Sequence, residues 1–180
     1  MTTQAAHDLN TCYSGTIDHK LLIAKQLFHR FAKTFAGDQQ IIDSLAGLQH
    51  AQADLDRHMQ IMEMGRRCVV CAAKAGGCCS SYMAGNTDAL VLLINLLFDV
   101  DIKQRQKGDE CCYLGPTGCI FIIKPIFCLN YNCSHIQKAA GRGEMDTLSE
   151  LTGALLSRQV ELEALLLEKI KTIEKQIDSR

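Results

Sequence analysis

The sequence predicts a mainly α protein, a helical bundle with an irregular cysteine-rich metal-binding insert. Three observations carry this: apolar residues recur at three- and four-residue steps through both ends of the chain, only 2 prolines interrupt 180 residues, and nine of the 10 cysteines fall between positions 68 and 133. A hydrophobic content of 47% against 22% charged residues suits one packed core rather than a disordered or collagen-like chain.

From Ile17, the residues Leu21, Leu22, Ala24, Leu27, Phe28, Phe31 and Phe35 mark one helical face, with Asp18 as candidate cap. Gly37 and Asp38 punctuate, and Ile41, Ile42, Leu45, Leu48, Leu55, Met59 and Met62 then repeat the period up to Gly65. Asn86, Thr87 and Asp88 offer caps for a third helix carrying Leu90, Leu93, Ile94, Leu97 and Phe98, apolar all round and so expected to be deeply buried. After Asp101 the periodicity fades. Gly108, Gly115, Pro116 and Gly118 signal turns, and positions 119–123 suit a short strand or an extended ligand loop. A long helix then runs from Glu144 to about Asp178 on a stripe of Leu148, Leu151, Leu155, Leu162, Leu166, Ile170, Ile173 and Ile177. Its strict heptad fails at Lys169, which favours a bundle helix over a free coiled coil and leaves homodimerisation through it open. The expected organisation is N-terminal helices over 1–67, a cysteine-rich region over 68–143 with one buried helix, and the C-terminal helix over 144–180, together one compact domain.

Nineteen Lys plus Arg against twenty Asp plus Glu leave a formal charge of −1, so no basic field exists to hold a nucleic-acid backbone. The most apolar run, 89–98, is half the roughly 20 residues a bilayer span requires. The first residues carry neither Lys nor Arg nor an apolar core, unlike a secretory signal, so a cytoplasmic location is expected, where clustered thiols hold metal more often than disulfides.

The cysteines form two groups. Cys68-Val69-Val70-Cys71 is followed after six residues by adjacent Cys78 and Cys79, with Gly76 and Gly77 just before them; the second group is Cys111, Cys112, Cys119, Cys128 and Cys133. A two-residue spacer lets two thiolates converge on one ion, and glycines let the backbone fold closely around it. Adjacent cysteines form only strained bridges with each other, which argues against a disulfide framework. Isolated Cys12 reads as a small core hydrophobe.

The stretch from Cys68 to Cys133, its second half carried by Cys112-Tyr113-Leu114, Cys119-Ile120-Phe121, Lys124-Pro125, Cys128 and Asn130-Tyr131-Asn132-Cys133, resembles the bacterial CxxCxxCC-type cysteine-cluster family, whose members are described as zinc- or iron-chelating. The resemblance covers about a third of the chain. Three departures mark it: six residues rather than two precede the Cys78-Cys79 pair, Lys124 replaces an arginine, and Leu129 stands where the family has another. By this resemblance the metal ligands are Cys68, Cys71, Cys78, Cys79, Cys112, Cys119, Cys128 and Cys133, with Cys111 and Cys12 as extras.

Eight thiolates suffice for two four-thiolate sites or an iron–sulfur cluster, and because Cys78 and Cys79 do not easily bind one ion together, an iron–sulfur cluster is favoured over zinc. Between positions 64 and 143, nine Lys or Arg face five acids, and Arg66, Arg67 and Lys124 are the candidate cations beside such an anionic centre. His135, two residues past Cys133, is a further candidate, His50 and His58 share a spacing that would let both face the metal region, and Met59, Met62 and Met64 read as core fillers. The expected function is a Cys-ligated cluster for redox, cluster handling or sensing, acting with a redox or protein partner. A zinc-stabilised interaction protein and an enzyme with a substrate-accessible cluster are the alternatives. No P-loop, dinucleotide fingerprint or C-x3-C-x2-C radical motif is present.

Overall fold

The computed structural model describes residues 9–72, 78–105, 108–116, 118–130 and 133–179. A 3-10 turn at Leu9–Tyr13 leads into α1 (Ile17–Phe35), capped not by Asp18 but by Thr16, whose Oγ1 accepts from His19 N at 3.2 Å. Asp38 opens α2 (Gln39–Ile61) by accepting from Gln40 N and Ile41 N, and its second oxygen lies 2.6 Å from Lys169 Nζ. The predicted second helix does not run unbroken to Gly65. It is capped at Met62, Glu63 takes φ 53°, and a separate α3 (Met64–Ala72) begins. The Cys68–Cys71 motif therefore sits on a helical backbone rather than in an irregular loop.

One-turn α4 (Ser81–Gly85) precedes α5 (Ala89–Leu97), for which Asp88 is the cap, accepting from Leu90 N and Val91 N at 2.9 Å each. Every residue of α5 from Ala89 to Asn95 is buried, as its all-round apolarity predicts. A two-residue antiparallel pair follows, β1 (Leu114–Gly115) and β2 (Gly118–Cys119), then the short helices α6 (Ile126–Asn130) and α7 (Ser134–Ala139). The final helix α8 (Arg142–Asp178) begins two residues earlier than periodicity predicts, because Gly141 N donates to Glu144 Oε2 at 2.7 Å. The fold is mainly α.

The core follows from which stripes meet. Leu27, Phe31 and Phe35 of α1 pack with Leu90, Leu93 and Ile94 of α5, while Ile41, Leu48 and Leu55 of α2 lie along Leu148, Leu155, Leu162 and Ile170 of α8. The apolar stripe of α8 is thus covered within the chain from Leu148 to Ile170, whereas Ile177 is exposed. Lys169, the position that breaks its heptad, serves the Asp38 contact, and Arg30 of α1 reaches Glu174 of α8 at 3.1 Å. Residues 68–143 do not form a detached insert: Tyr113, Phe121, Ile123 and Leu129 belong to the same continuous core as the long helices. Among the described residues no helix is long and apolar enough to cross a membrane.

Where α8 passes the start of α5, burial pushes the Glu163 carboxyl up to about 7, although Gln159 Nε2 donates to it at 2.8 Å, and nearby Asp88 raises it further. Burial also raises Asp88 itself. Because the folded protein favours the protonated acid, this contribution to stability is fully present below the ordinary glutamate value of 4.5 and is lost as pH rises through about 7. Glu163→Gln is expected to remove that slope. Its gain in unfolding free energy over wild type should grow by on the order of 2 kcal/mol between acidic and mildly alkaline pH, measured by urea unfolding. A gain independent of pH would reject the assignment.

Candidate metal centre

Backbone hydrogen bonds join cysteines that are far apart in sequence. Ser80 forms an isolated antiparallel bridge with Glu110, Ser81 N donates to Asp109 O, and Cys111 N donates to Cys79 O, the last two at 2.8 Å. This short zipper lays the Cys78-Cys79 segment beside Cys111. The chain then enters the β1–β2 hairpin, where Leu114 pairs with Cys119 and Gly115 with Gly118. Gly118 holds φ 128°, a conformation in which a side chain would be strained.

Asn95 fixes the next segment. Fully buried on α5, it donates to Ile123 O at 2.8 Å and accepts from Ile122 N and Ile123 N at 2.9 and 3.1 Å, so one side chain satisfies a buried loop backbone. Pro125 then starts α6, its carbonyl accepting from Cys128 N at 2.9 Å, and Cys133 is the N-cap residue of α7.

These constraints bring Cys78, Cys79, Cys111, Cys119, Cys128 and Cys133 to one cavity of about 100 Å³. Met59, Met64 and Met83 contribute thioethers to its wall, Tyr113 an aromatic ring, and Lys124 a cation held 3.3 Å from Asp56. No carboxylate or imidazole lines it among the described residues. The donors are soft sulfur throughout, the chemistry that suits zinc, monovalent copper and iron–sulfur clusters rather than hard cations.

The thiols differ in readiness. Burial pushes Cys112 up to about 11 and Cys128 to about 12, with neighbouring thiols adding to both, and burial raises Cys111 as well. Cys128 is exposed as a residue, on the rim helix α6, yet its sulfur is desolvated against the cavity. Cys78 moves the opposite way, down to about 6, chiefly because the Cys79 thiol hydrogen-bonds to it, with Cys133 adding a further bond. A bound metal would lower the thiols that burial raises and release their protons.

Of the eight ligands that the resemblance implies, five line the cavity: Cys78, Cys79, Cys119, Cys128 and Cys133. Cys112 does not. It lines a separate groove with Ile17, Ser81 and Arg105, and the supposed extra, Cys111, takes the place in the cavity. Cys68 and Cys71 have their backbone in α3, but their side chains lie outside the described residues, as does that of His135. Among the described residues, no three His, Cys, Asp or Glu side chains close into a ligating set.

The expected cations also separate. Lys124 lines the cavity, whereas Arg66 projects into a neighbouring groove and Arg67 donates through Nε to Met62 O at 3.0 Å on another surface. His58 Nε2 lies 2.8 Å from Glu144 O, and exposed His50 is near Asp54, so neither reaches the cavity. Met83 and Cys111 carry no spacing signal that singles them out. Asn95 does, as the one polar residue inside the most apolar run.

No protein family, curated protein or solved structure matches the chain.

Proposed function

We propose that this protein holds a cysteine-ligated metal cluster, of the iron–sulfur type, in the cavity between α3, α4, the β1–β2 hairpin and α6, for electron transfer, cluster handling or sensing. The observation that carries the reading is the convergence of six cysteines from separate segments on one cavity that has no carboxylate or imidazole in its wall among the described residues. The proposed ligands are drawn from Cys78, Cys79, Cys111, Cys119, Cys128 and Cys133, with Cys68 and Cys71 added from α3. Both belong to the ligand set that the resemblance implies.

Six or more thiols exceed the four that a zinc tetrahedron takes, and adjacent Cys78 and Cys79 suit neighbouring metals better than one. When bound, such a cluster supplies one-electron chemistry. The chain's own contribution is a largely apolar wall that limits water, the Lys124 cation beside the thiolates, and backbone bonds that hold cysteine pairs in register. The cysteine order also supports membership of the CxxCxxCC-type family, and reduced, ligand-ready thiols suit a cytoplasmic protein.

Anaerobic purification followed by iron, zinc and acid-labile sulfide analysis, with visible and EPR spectra, tests the reading. Stoichiometric iron and sulfide with thiolate-to-iron absorption is the expected result. Colourless protein with stoichiometric zinc and no sulfide would replace the cluster by zinc, and folded protein that takes up no metal would overturn the site.

A further inference from the structure

A second space adjoins the thiol cavity. It is an open groove of about 600 Å³, within the roughly 300–1,000 Å³ of small-molecule sites. Met59, Gly65, Gly118, Cys119 and Lys124 line both spaces and so form the wall between them. Two of the five are glycines in direct apposition: a Cβ built on Gly118 would lie 3.6 Å from Gly65 Cα. No side chain thickens the partition there, and the Cys119 segment faces both sides.

The groove has an apolar floor and a charged rim. Ile120, Phe121 and Ile122 supply the floor. On the rim, Lys124 is 15% exposed and pairs with Asp56, itself 43% exposed, at 3.3 Å; Arg66 is 80% exposed and only 3.8 Å from Glu63. The asymmetry of the first pair decides what the groove accepts. Lys124 is held in place by its surroundings, whereas Asp56 can turn to water at little cost, since ion pairs with one half-exposed partner are weak. A ligand carboxylate that replaces Asp56 on Lys124 exchanges one monoanion for another. A ligand cation would have to dislodge the buried member, and a dianion would leave excess negative charge beside a cavity of thiols.

We propose that this groove binds a small organic carboxylate, its charged end on Lys124 in place of Asp56 and its hydrocarbon body on Ile120, Phe121 and Ile122. A molecule so held lies against the glycine wall, one residue layer from the cysteine cavity. Binding itself does not depend on the cavity's content; its use as a substrate or regulator of the centre rests on the cluster reading above.

The test uses the full chain, purified anaerobically, with metal content assayed on the same sample. Calorimetric titration compares 4-phenylbutyrate with its neutral amide, 4-phenylbutyramide. The carboxylate is expected to bind at least about tenfold more tightly, a preference that Lys124→Met abolishes while leaving the amide unaffected. Asp56→Asn, which removes the competing anion, is expected to tighten the carboxylate severalfold. Equal affinity for the two probes, no binding of either at millimolar concentration, or weaker carboxylate binding to the Asp56→Asn variant would overturn the proposal. Metal-free protein that shows the carboxylate preference sinks the cluster reading alone, and metal-loaded protein without it sinks the groove alone.

Discussion

Replacing Asn95 by leucine is expected to lower the unfolding free energy by about 3 kcal/mol or more, although the two side chains have the same branching and number of heavy atoms. The amide is fully buried and serves the 122–123 backbone with three hydrogen bonds: it receives Ile122 N–H and Ile123 N–H and donates to Ile123 C=O. Leucine satisfies none of these. Each orphaned group costs roughly 1–3 kcal/mol when it lies beneath a loop whose Phe121 and Ile123 are themselves buried. The same substitution loosens the segment that carries Lys124, Pro125 and Cys128, so metal uptake should fall with stability. Urea unfolding of the variant, with metal content measured in parallel, checks both. A loss below about 1 kcal/mol would show that the loop is held by packing instead.

Cys111→Ser and Cys112→Ser are expected to differ sharply although the residues are neighbours. The cavity contains Cys111 and excludes Cys112, which faces the groove beside Ile17, Ser81 and Arg105. The serine at 111 should lower retained metal at least about tenfold, since loss of even an outer partner of a metal site costs 10–100-fold. The serine at 112 should leave the metal and its spectrum unchanged. Both substitutions conserve volume closely, so a common folding defect is separable by circular dichroism of the two variants. If Cys112→Ser loses the metal and Cys111→Ser keeps it, the ligand order implied by the family resemblance is right and the cavity assignment is wrong.

Parts of the architecture were readable from residues alone because their cause is local. The periodic stripes of α1, α2, α5 and α8 announced those helices, and the unbroken apolarity of α5 announced its burial. Helix ends were less legible. Thr16 rather than Asp18 caps α1, and the break at Glu63 rests on a single positive φ that no composition signal marks. The short helices α4, α6 and α7 each have too few residues to show a period.

The gathering of nine cysteines between positions 68 and 133, and the sulfur chemistry they imply, belong to the sequence by itself, because residue type and spacing are enough to fix what a segment can ligate. Which sulfurs share a cavity was decided only by the tertiary structure. The Cys111 N to Cys79 O bond sets the register of two segments about thirty residues apart. That bond and the turn at 111–114, where Leu114 N donates to Cys111 O at 3.0 Å, place Cys111 at the cavity and Cys112 at the other groove, and a long-range register of this kind leaves no trace in local pattern.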